Sequence, residues 1–425
     1  MTRSRRTVVT LTLALLLAGA GVGVLSAESG GTAQNGARET TEGTDGAQGG
    51  QGGQEGSNAP SVDLLAGFDP RDHRLEGDHL VADLDGGNRA VLTLDPGLQA
   101  HLEGQLDRYA VPYASVVAIE PSTGRVLAYV SHSTANPDGP DLARDPTPPT
   151  ASIFKIITAA ALIDAGVSAD DRHCYSGGSS RLLARHIEDS ESDNRCATLG
   201  DAVGSSINAV IAKFADRNLD APTLERYASA FGFGHGLPFD VATRPSPGEV
   251  PHHETDRLEF VRTSAGFWHM HMSPLHGALI AATFANDGQM PRASMIDSIL
   301  SPQGDVLRSH EPEVFRSVIS RRTAREVGRM MENTVSRGTA RRTFHDQQGR
   351  PFLPDIRVAG KTGTLSGSNP YRGYTWWVGF APAEAPTIAV AALAVNTPLW
   401  RIKASYVARE ALRYYLVERP AVAAE

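Results

Sequence analysis

Thr150-Ala151-Ser152-Ile153-Phe154-Lys155-Ile156-Ile157-Thr158-Ala159-Ala160 is the stretch from which the rest of the chain can be read. A proline-rich approach (Pro146, Pro148, Pro149) runs into an apolar pattern of helical spacing, so Ser152 opens a helix and Gly166 follows its C-cap. Residues three apart on a helix lie one turn apart on one face, and Lys155 can bring Nζ to Ser152 Oγ while Phe154, Ile157 and Ala161 point elsewhere. A serine hydroxyl is a weak nucleophile until its proton is taken, and a lysine takes it only when burial or a neighbouring cation lowers its pKa. The pair is a candidate activated nucleophile. On spacing alone it also matches a helix N-cap serine beside a snorkelling surface lysine, and the downstream sequence has to separate the two.

The chain has 425 residues, 41% apolar and 21% charged, which is enough apolar material for a large core and two or three structural units. A net charge of -8 with scattered lysine and arginine excludes a nucleic-acid partner, because no basic face is there to neutralise phosphates. Arg3, Arg5 and Arg6 precede an apolar run from Val8 to Ala27, an export signal. At about 1.5 Å per residue such a run reaches about 30 Å, the thickness of the hydrocarbon core. Residues 1–27 therefore read as a signal peptide or an N-terminal membrane anchor, with Ala18-Gly19-Ala20 and Leu25-Ser26-Ala27 as acceptable cleavage sites. Residues 28–61 are a Gly/Gln/Glu-rich tether, 62–90 a short lead-in without assignment, and 419–425 a tail. Cys174 and Cys196 are the only cysteines. In an exported chain they read as one disulfide closing a polar surface loop, with half of a metal site as the alternative.

Ala90 to Leu94 reads as a short strand, and Asp95-Pro96 introduces a helix from Leu98 to about Tyr109. Ser115–Ile119 and Arg125–Val130 form a hairpin about Pro121-Ser122-Thr123-Gly124. Its strands are too apolar to be wet on one side, so helices should cover both faces. Further helices are expected at Leu199–Ala215, which carries Ser205-Ser206-Ile207-Asn208, at Pro274–Ala285 and at about Trp400–Glu418. Val358–Thr364, Thr375–Ala381 and Thr387–Asn396 are strands. Two strands, a block of helices, three strands and a helix imply an α/β chain of the α+β type. The expected architecture is a five-stranded antiparallel sheet flanked by helices, with an all-helical subdomain and the active site between the two.

Ser152-x-x-Lys155, Ser206-x-Asn208 and Lys361-Thr362-Gly363 are each weak signals, and in this order they are strong. Around them stand Leu92-Thr93-Leu94-Asp95, Ala118-Ile119-Glu120-Pro121, Pro274-Leu275-His276-Gly277, Ala285-Asn286-Asp287-Gly288, Gly338-Thr339-Ala340 and Trp377-Val378-Gly379-Phe380-Ala381-Pro382. On these segments the chain, from about Val91 to Asn396, resembles the penicillin-binding protein transpeptidases, serine acyl-transferases of the penicillin-binding protein and serine β-lactamase superfamily. The resemblance implies a transpeptidase domain over 91–418, in a minimal form with no glycosyltransferase domain. Ser152 would attack the carbonyl of a D-Ala-D-Ala bond, Lys155 would be its base, and Ser206 would relay a proton to the leaving amine. Lys361 would depress the pKa of Lys155 and attract the terminal carboxylate, which Thr362 and Thr364 would hydrogen-bond. Asn208 would hold the donor peptide, and Gly363 would let the strand approach the substrate. The N–H groups of Ser152 and Thr364 would form the oxyanion hole, about 3 to 4 kcal/mol per donor. The implied partners are peptidoglycan stem peptides, β-lactam antibiotics and, through the N-terminal segment, a membrane, all in the extracytoplasmic cell envelope. No cofactor and no metal is implied. A D,D-carboxypeptidase and a β-lactam-binding sensor without useful turnover are the alternative readings.

Some residues depart from this pattern. Ser192-Asp193-Asn194 also spells a second motif, but it lies in an acidic loop, whereas Ser206-Ile207-Asn208 leads into an apolar helix that can support a relay. Ala151 stands where the resembled family usually has glycine, after a Pro148-Pro149-Thr150 approach, a departure that could narrow the pocket mouth and removes no catalytic group. No Glu-x-x-Leu-Asn element is found, and Glu188 and Glu191 are misplaced for a deacylating base, so hydrolysis of a β-lactam adduct should be slow. His252-His253 and His269-Met270-His271 read as solvated or capping histidines rather than metal ligands. Trp376 and Trp377 should point to opposite faces of a strand, so at least one is core.

Overall fold

The computed structural model describes residues 63–179 and 181–419. The stretches read above as a signal peptide or anchor and as a tether, and the tail beyond 419, lie outside them. Five antiparallel strands make the central sheet: β1 (Tyr113–Ile119), β2 (Val126–His132), β3 (Ala359–Ser368), β4 (Tyr371–Ala381) and β5 (Ile388–Asn396). In space they run β3-β4-β5-β1-β2, so the early hairpin closes onto the last strand, with Val117 opposite Ala391 and Ile119 opposite Ala389. Every residue of β5 is buried, as a near-continuous apolar run covered on both faces must be. β3 lies at the edge and pairs only with β4, Lys361 opposite Val378 and Thr364 opposite Thr375.

The helices that matter for the site are α1 (Pro96–Arg108), α2 (Lys155–Asp164), α3 (Leu199–Gly204), α4 (Asn208–Asn218), α5 (Arg257–Ser264), α6 (Pro274–Ala285), α7 (Arg321–Ser336) and α8 (Ala404–Arg413). α1 and α8 pack on one face of the sheet, where Leu98, Leu102, Val407 and Leu412 meet Trp377. α6 packs on the other, where Leu279 and Ile280 share a core with Val117, Ala391 and Trp376. Trp376 and Trp377 thus enter different cores, and both are buried. Asp95 caps α1 through Leu98 N–H at 2.8 Å, and Ser273 caps α6. α2 is apolar but for Lys155, Thr158 and the terminal Asp164 and is buried along nearly its whole length, as a helix with no polar face has to be. Among the described residues no helix is long and apolar enough to cross a membrane.

Three elements differ from the sequence expectation. The 62–90 segment is paired into the body of the chain: Arg74–Glu76, His79–Asp83 and Arg89–Leu92 form a second five-stranded sheet with Ile296–Leu300 and Val306–Ser309. The expected strand at 90–94 is its third member, with Val91 opposite Ser298, a partner no local pattern can announce. The single helix expected over 199–215 is two helices. It breaks at Ser205-Ser206-Ile207, where Ser206 takes φ +56 and Ile207 N–H returns to Ala202 O at 2.9 Å. Gly204 and two serines favour a turn over a continuing helix, so the second motif sits at a helix junction and not within a helix. The C-terminal helix starts at Ala404 and ends in a wider turn over Tyr414–Glu418.

Candidate active site

Ser152 lies in one tight turn, Ala151–Phe154, that leads directly into α2. Ala151 is left-handed at φ +49, and its methyl is buried under the edge strand: a Cβ added at Gly363 would stand 3.1 Å from Ala151 Cβ and 3.3 Å from Thr150 O. Ala151 is buried and does not line the cavity, so it does not narrow the pocket mouth, and Gly363, which does line it, also permits a close approach of β3 onto the serine turn. From the other side the loop after α5 presses on the same turn at Gly266, which has φ +82 and where a Cβ would lie 2.1 Å from Ala151 O. That approach has a chemical consequence, because the preceding Ala265 carbonyl receives Lys155. Lys155 Nζ is 2.6 Å from Ala265 O and 2.7 Å from Ser152 Oγ.

Lys155 is completely buried, and burial pushes its pKa well below the ordinary lysine value, with the nearby Lys361 charge pushing the same way as a smaller cause. A neutral amine in this position donates to Ala265 O and has a lone pair free for the Ser152 proton. Lys361, on β3, places Nζ 3.1 Å from Ser206 Oγ and 2.9 Å from Thr362 O. Burial lowers its pKa to about 7. The left-handed turn at Ser206 is what brings that hydroxyl back toward the edge strand. Asn208, the first residue of α4, donates Nδ2 to Ser179 O at 2.6 Å, while its Oδ1 is buried without a partner. Oδ1 is therefore an acceptor that the described residues leave unsatisfied.

These groups meet at one cavity of about 890 Å³, lined by Ser152, Ser206, Asn208, Thr362, Gly363 and Thr364 together with the 265–268 loop. Among the described residues no acidic side chain lines it, although the chain as a whole carries a net charge of -8. The sequence reading missed four contributors. Ala265 and Ser179 act through backbone carbonyls, which leave no trace in a sequence. Thr339, quoted above only as part of Gly338-Thr339-Ala340, places Oγ1 2.5 Å from Thr362 Oγ1. Trp268, at φ +33 and 44% exposed, stands at the rim.

The decoys have structural partners. Asp193 of Ser192-Asp193-Asn194 pairs with Lys213 at 2.5 Å, and Glu188 with Arg257 at 2.5 Å. His253 meets Asp216 at 3.0 Å and His269 meets Glu259 at 2.7 Å; among the described residues no group of side chains could hold a metal ion. Cys174 and Cys196 are bonded across a short ribbon, Arg172–Tyr175 with Arg195–Thr198.

Residues 114–414 match the family model described as the penicillin binding protein transpeptidase domain. Peptidoglycan D,D-transpeptidase PbpA of Mycobacterium tuberculosis is 28% identical over 367 residues, covering 76% of this chain and 72% of that protein. Stage V sporulation protein D of Bacillus subtilis is 25% identical over 336 residues, 72% of this chain and 49% of that one. Among solved structures, penicillin-binding protein A from M. tuberculosis as its imipenem acyl-enzyme complex is 25% identical with a TM-score of 0.65, covering 78% of this chain and 80% of that chain.

Proposed function

From the premise that the chain belongs to the penicillin-binding protein transpeptidase domain family, we propose that it is an exported serine D,D-transpeptidase of peptidoglycan cross-linking. Its substrate in this reading is a stem peptide ending in D-Ala-D-Ala, and β-lactams acylate the same serine. The observation that carries the reading is the pair of lysine–hydroxyl contacts, Lys155 with Ser152 and Lys361 with Ser206, brought to one cavity from three separate segments of the chain.

The chemistry needs Lys155 neutral, the form its burial favours, and Lys361 cationic, the form it keeps below a pKa of about 7. Neutral Lys155 takes the Ser152 proton as Oγ attacks the carbonyl of the penultimate D-Ala. The oxyanion forms against the N–H groups of Ser152 and Thr364, and the C–N bond breaks as Ser206, polarised by cationic Lys361, passes a proton to the leaving D-Ala nitrogen. Lys155 returns its proton through Ser206, which leaves an ester on Ser152 and a free amine base. An acceptor amine from a second stem peptide then reverses the steps, forming the cross-link and restoring the serine. Lys361, Thr362 and Thr364 hold the terminal carboxylate, Thr339 orients the Thr362 hydroxyl, and Asn208 Oδ1 accepts the donor amide N–H. No step calls for a cofactor. A stem-peptide substrate places the catalytic domain outside the cytoplasm, which is where the N-terminal segment 1–27 would deliver it, whether retained as an anchor or removed.

Intact-mass spectrometry after benzylpenicillin tests this. The expected result is a stable mass gain on the peptide containing Ser152, absent in Ser152→Ala, together with release of D-Ala from a pentapeptide when an amine acceptor is present. Release with water alone as acceptor identifies a D,D-carboxypeptidase, and labelling without any release identifies a β-lactam sensor. No labelling of the wild type overturns the proposal.

A further inference from the structure

Lys213 is a buried lysine that acyl transfer leaves unused. It lies on α4, five residues after Asn208, and its Nζ donates to Cys174 O at 2.8 Å, Asp193 Oδ2 at 2.5 Å and Asp189 Oδ1 at 3.1 Å. Three acceptors match the three N–H bonds of an ammonium. All three belong to the segment closed by the Cys174–Cys196 disulfide, so one cation fastens both arms of that segment to the helix that begins with the second motif. The first arm continues through Gly177 and Gly178, at φ +67 and +69, and at Gly178 it runs so close to α4 that an added Cβ would stand 2.8 Å from Ala209 Cβ. The next residue is Ser179, whose carbonyl accepts from Asn208 Nδ2 at 2.6 Å.

That last bond decides which way the Asn208 amide faces. With Nδ2 engaged by Ser179 O, Oδ1 is turned to the other side and is left buried without a partner in the wall of the catalytic cavity. Released from Ser179, the amide is free to turn over and present N–H to a ligand that also brings N–H, which exchanges an attraction for a clash of donors. The second arm of the loop has further ties, by Arg217 of α4 to Asp189 at 2.8 Å and, from α5, by Arg262 to Leu182 O at 2.8 Å and by Arg257 to Glu188 at 2.5 Å. Among the described residues, the charged side chain of α4 that bonds the Cys174–Ser179 side is Lys213.

We propose that Lys213 is a positioning residue for recognition of the acyl donor. By clamping the disulfide-closed loop onto α4 it keeps the Ser179 carbonyl on Asn208 and so holds Oδ1 as the acceptor for a secondary amide N–H beside the attacked carbonyl. The inference rests on the serine acyl-transferase reading above. It sorts donors by chemistry: those carrying that amide depend on Lys213, and those lacking it do not.

The test compares acylation of the full chain by benzylpenicillin, which has the side-chain amide, and by penicillanic acid, which has the same rings and carboxylate without it. Second-order rate constants come from time-resolved intact mass. In Lys213→Met the benzylpenicillin constant is expected to fall about tenfold, the scale of one lost hydrogen bond, while the penicillanic acid constant changes less than about twofold. In an Asn208→Ala background the same substitution should cause no further loss. If Lys213→Met does not fold, Asp193→Asn removes the nearer charge partner of Lys213 while leaving the Arg217–Asp189 pair in place, and should give the same selective loss in weaker form. Equal losses for the two compounds, no loss for either, or additivity with Asn208→Ala overturns the proposal. Failure of the wild type to react with both compounds instead removes the acyl-transferase reading on which it rests.

Discussion

The sharpest consequence of the site concerns alkaline pH. Lys361 must be cationic to hold a carboxylate, yet burial brings its pKa to about 7. In the free enzyme the cationic fraction is then about one half at pH 7 and about 1% at pH 9, so the second-order acylation constant should fall roughly fiftyfold between those values, with a slope near tenfold per pH unit. The sign follows from which form binds: raising pH removes the attractive charge, and neutral Lys155, already favoured by burial, gains nothing that offsets it. The assay is the benzylpenicillin acylation constant from pH 6 to 9.5. The methyl ester of the same penicillin is the control, since it has no carboxylate for Lys361 to hold and should show a shallower fall. Lys361→Arg keeps the charge across this range and should shift the alkaline limb above pH 9, although its planar head fits the site less well and lowers the maximum. A profile flat from pH 7 to 9, or one that falls equally for acid and ester, would refute the assignment of the carboxylate to Lys361.

Stability should carry the same titration with its own sign. An unfolded Lys361 holds its proton up to the ordinary lysine value, so between pH 7 and 10.5 the unfolded state binds more protons and the fold gains stability as pH rises. Lys361→Met removes this dependence, so the stability difference between variant and wild type, measured by urea unfolding at pH 7 and pH 10, should move against the variant by several kcal/mol, on the order of 4. His276 predicts the acid side. Its Nε2–H donates to Phe231 O at 2.8 Å, its Nδ1 accepts from Ser246 Oγ at 2.7 Å, and burial lowers its pKa to about 4. This neutral histidine stabilises fully above pH 6.5 and loses about 3 kcal/mol by pH 4, a loss His276→Gln should escape when both are unfolded in urea at the two pH values. Gly266→Ala sets a Cβ 2.1 Å from Ala151 O, which must push the Ala265 carbonyl off Lys155; benzylpenicillin acylation is expected to fall at least about a hundredfold, and an unchanged rate would deny that carbonyl its role.

Much of the candidate site's geometry was legible because its first half is local. A serine and a lysine three residues apart on a helical pattern meet whatever the rest of the chain does, and the 2.7 Å contact realises that spacing. The sheet was legible for a different reason. An all-apolar run such as Ile388–Val395 has no solvent face, so it can only be a central strand, and the early hairpin then has one open place beside it. What stayed hidden depends on partners far along the chain. The strand at Arg89–Leu92 pairs with Ile296–Leu300, and nothing within its own window distinguishes that neighbour from the central sheet.

The pKa of Lys155 shows where residue patterns stop and structure has to begin. Lys361 was expected to lower the pKa of Lys155, and it does so only as the lesser cause; the greater one is that α2 lies inside the protein. Burial of that lysine comes from the layers around it: β3 across the serine turn at Gly363, and the Gly266 loop from the other side. Each approach puts a backbone where a side chain would not fit, and each glycine borders a group the chemistry uses, the Ala265 carbonyl in one case and Thr362 and Thr364 in the other. The same packing that strips water from Lys155 thus supplies the carbonyl that replaces it, so one arrangement sets both the basicity of the amine and the direction of its lone pair. A spacing of four letters can place two atoms together; a neutral lysine aimed at a hydroxyl requires the surrounding backbone to close on it, which is why the residues that do so are glycines and carbonyls.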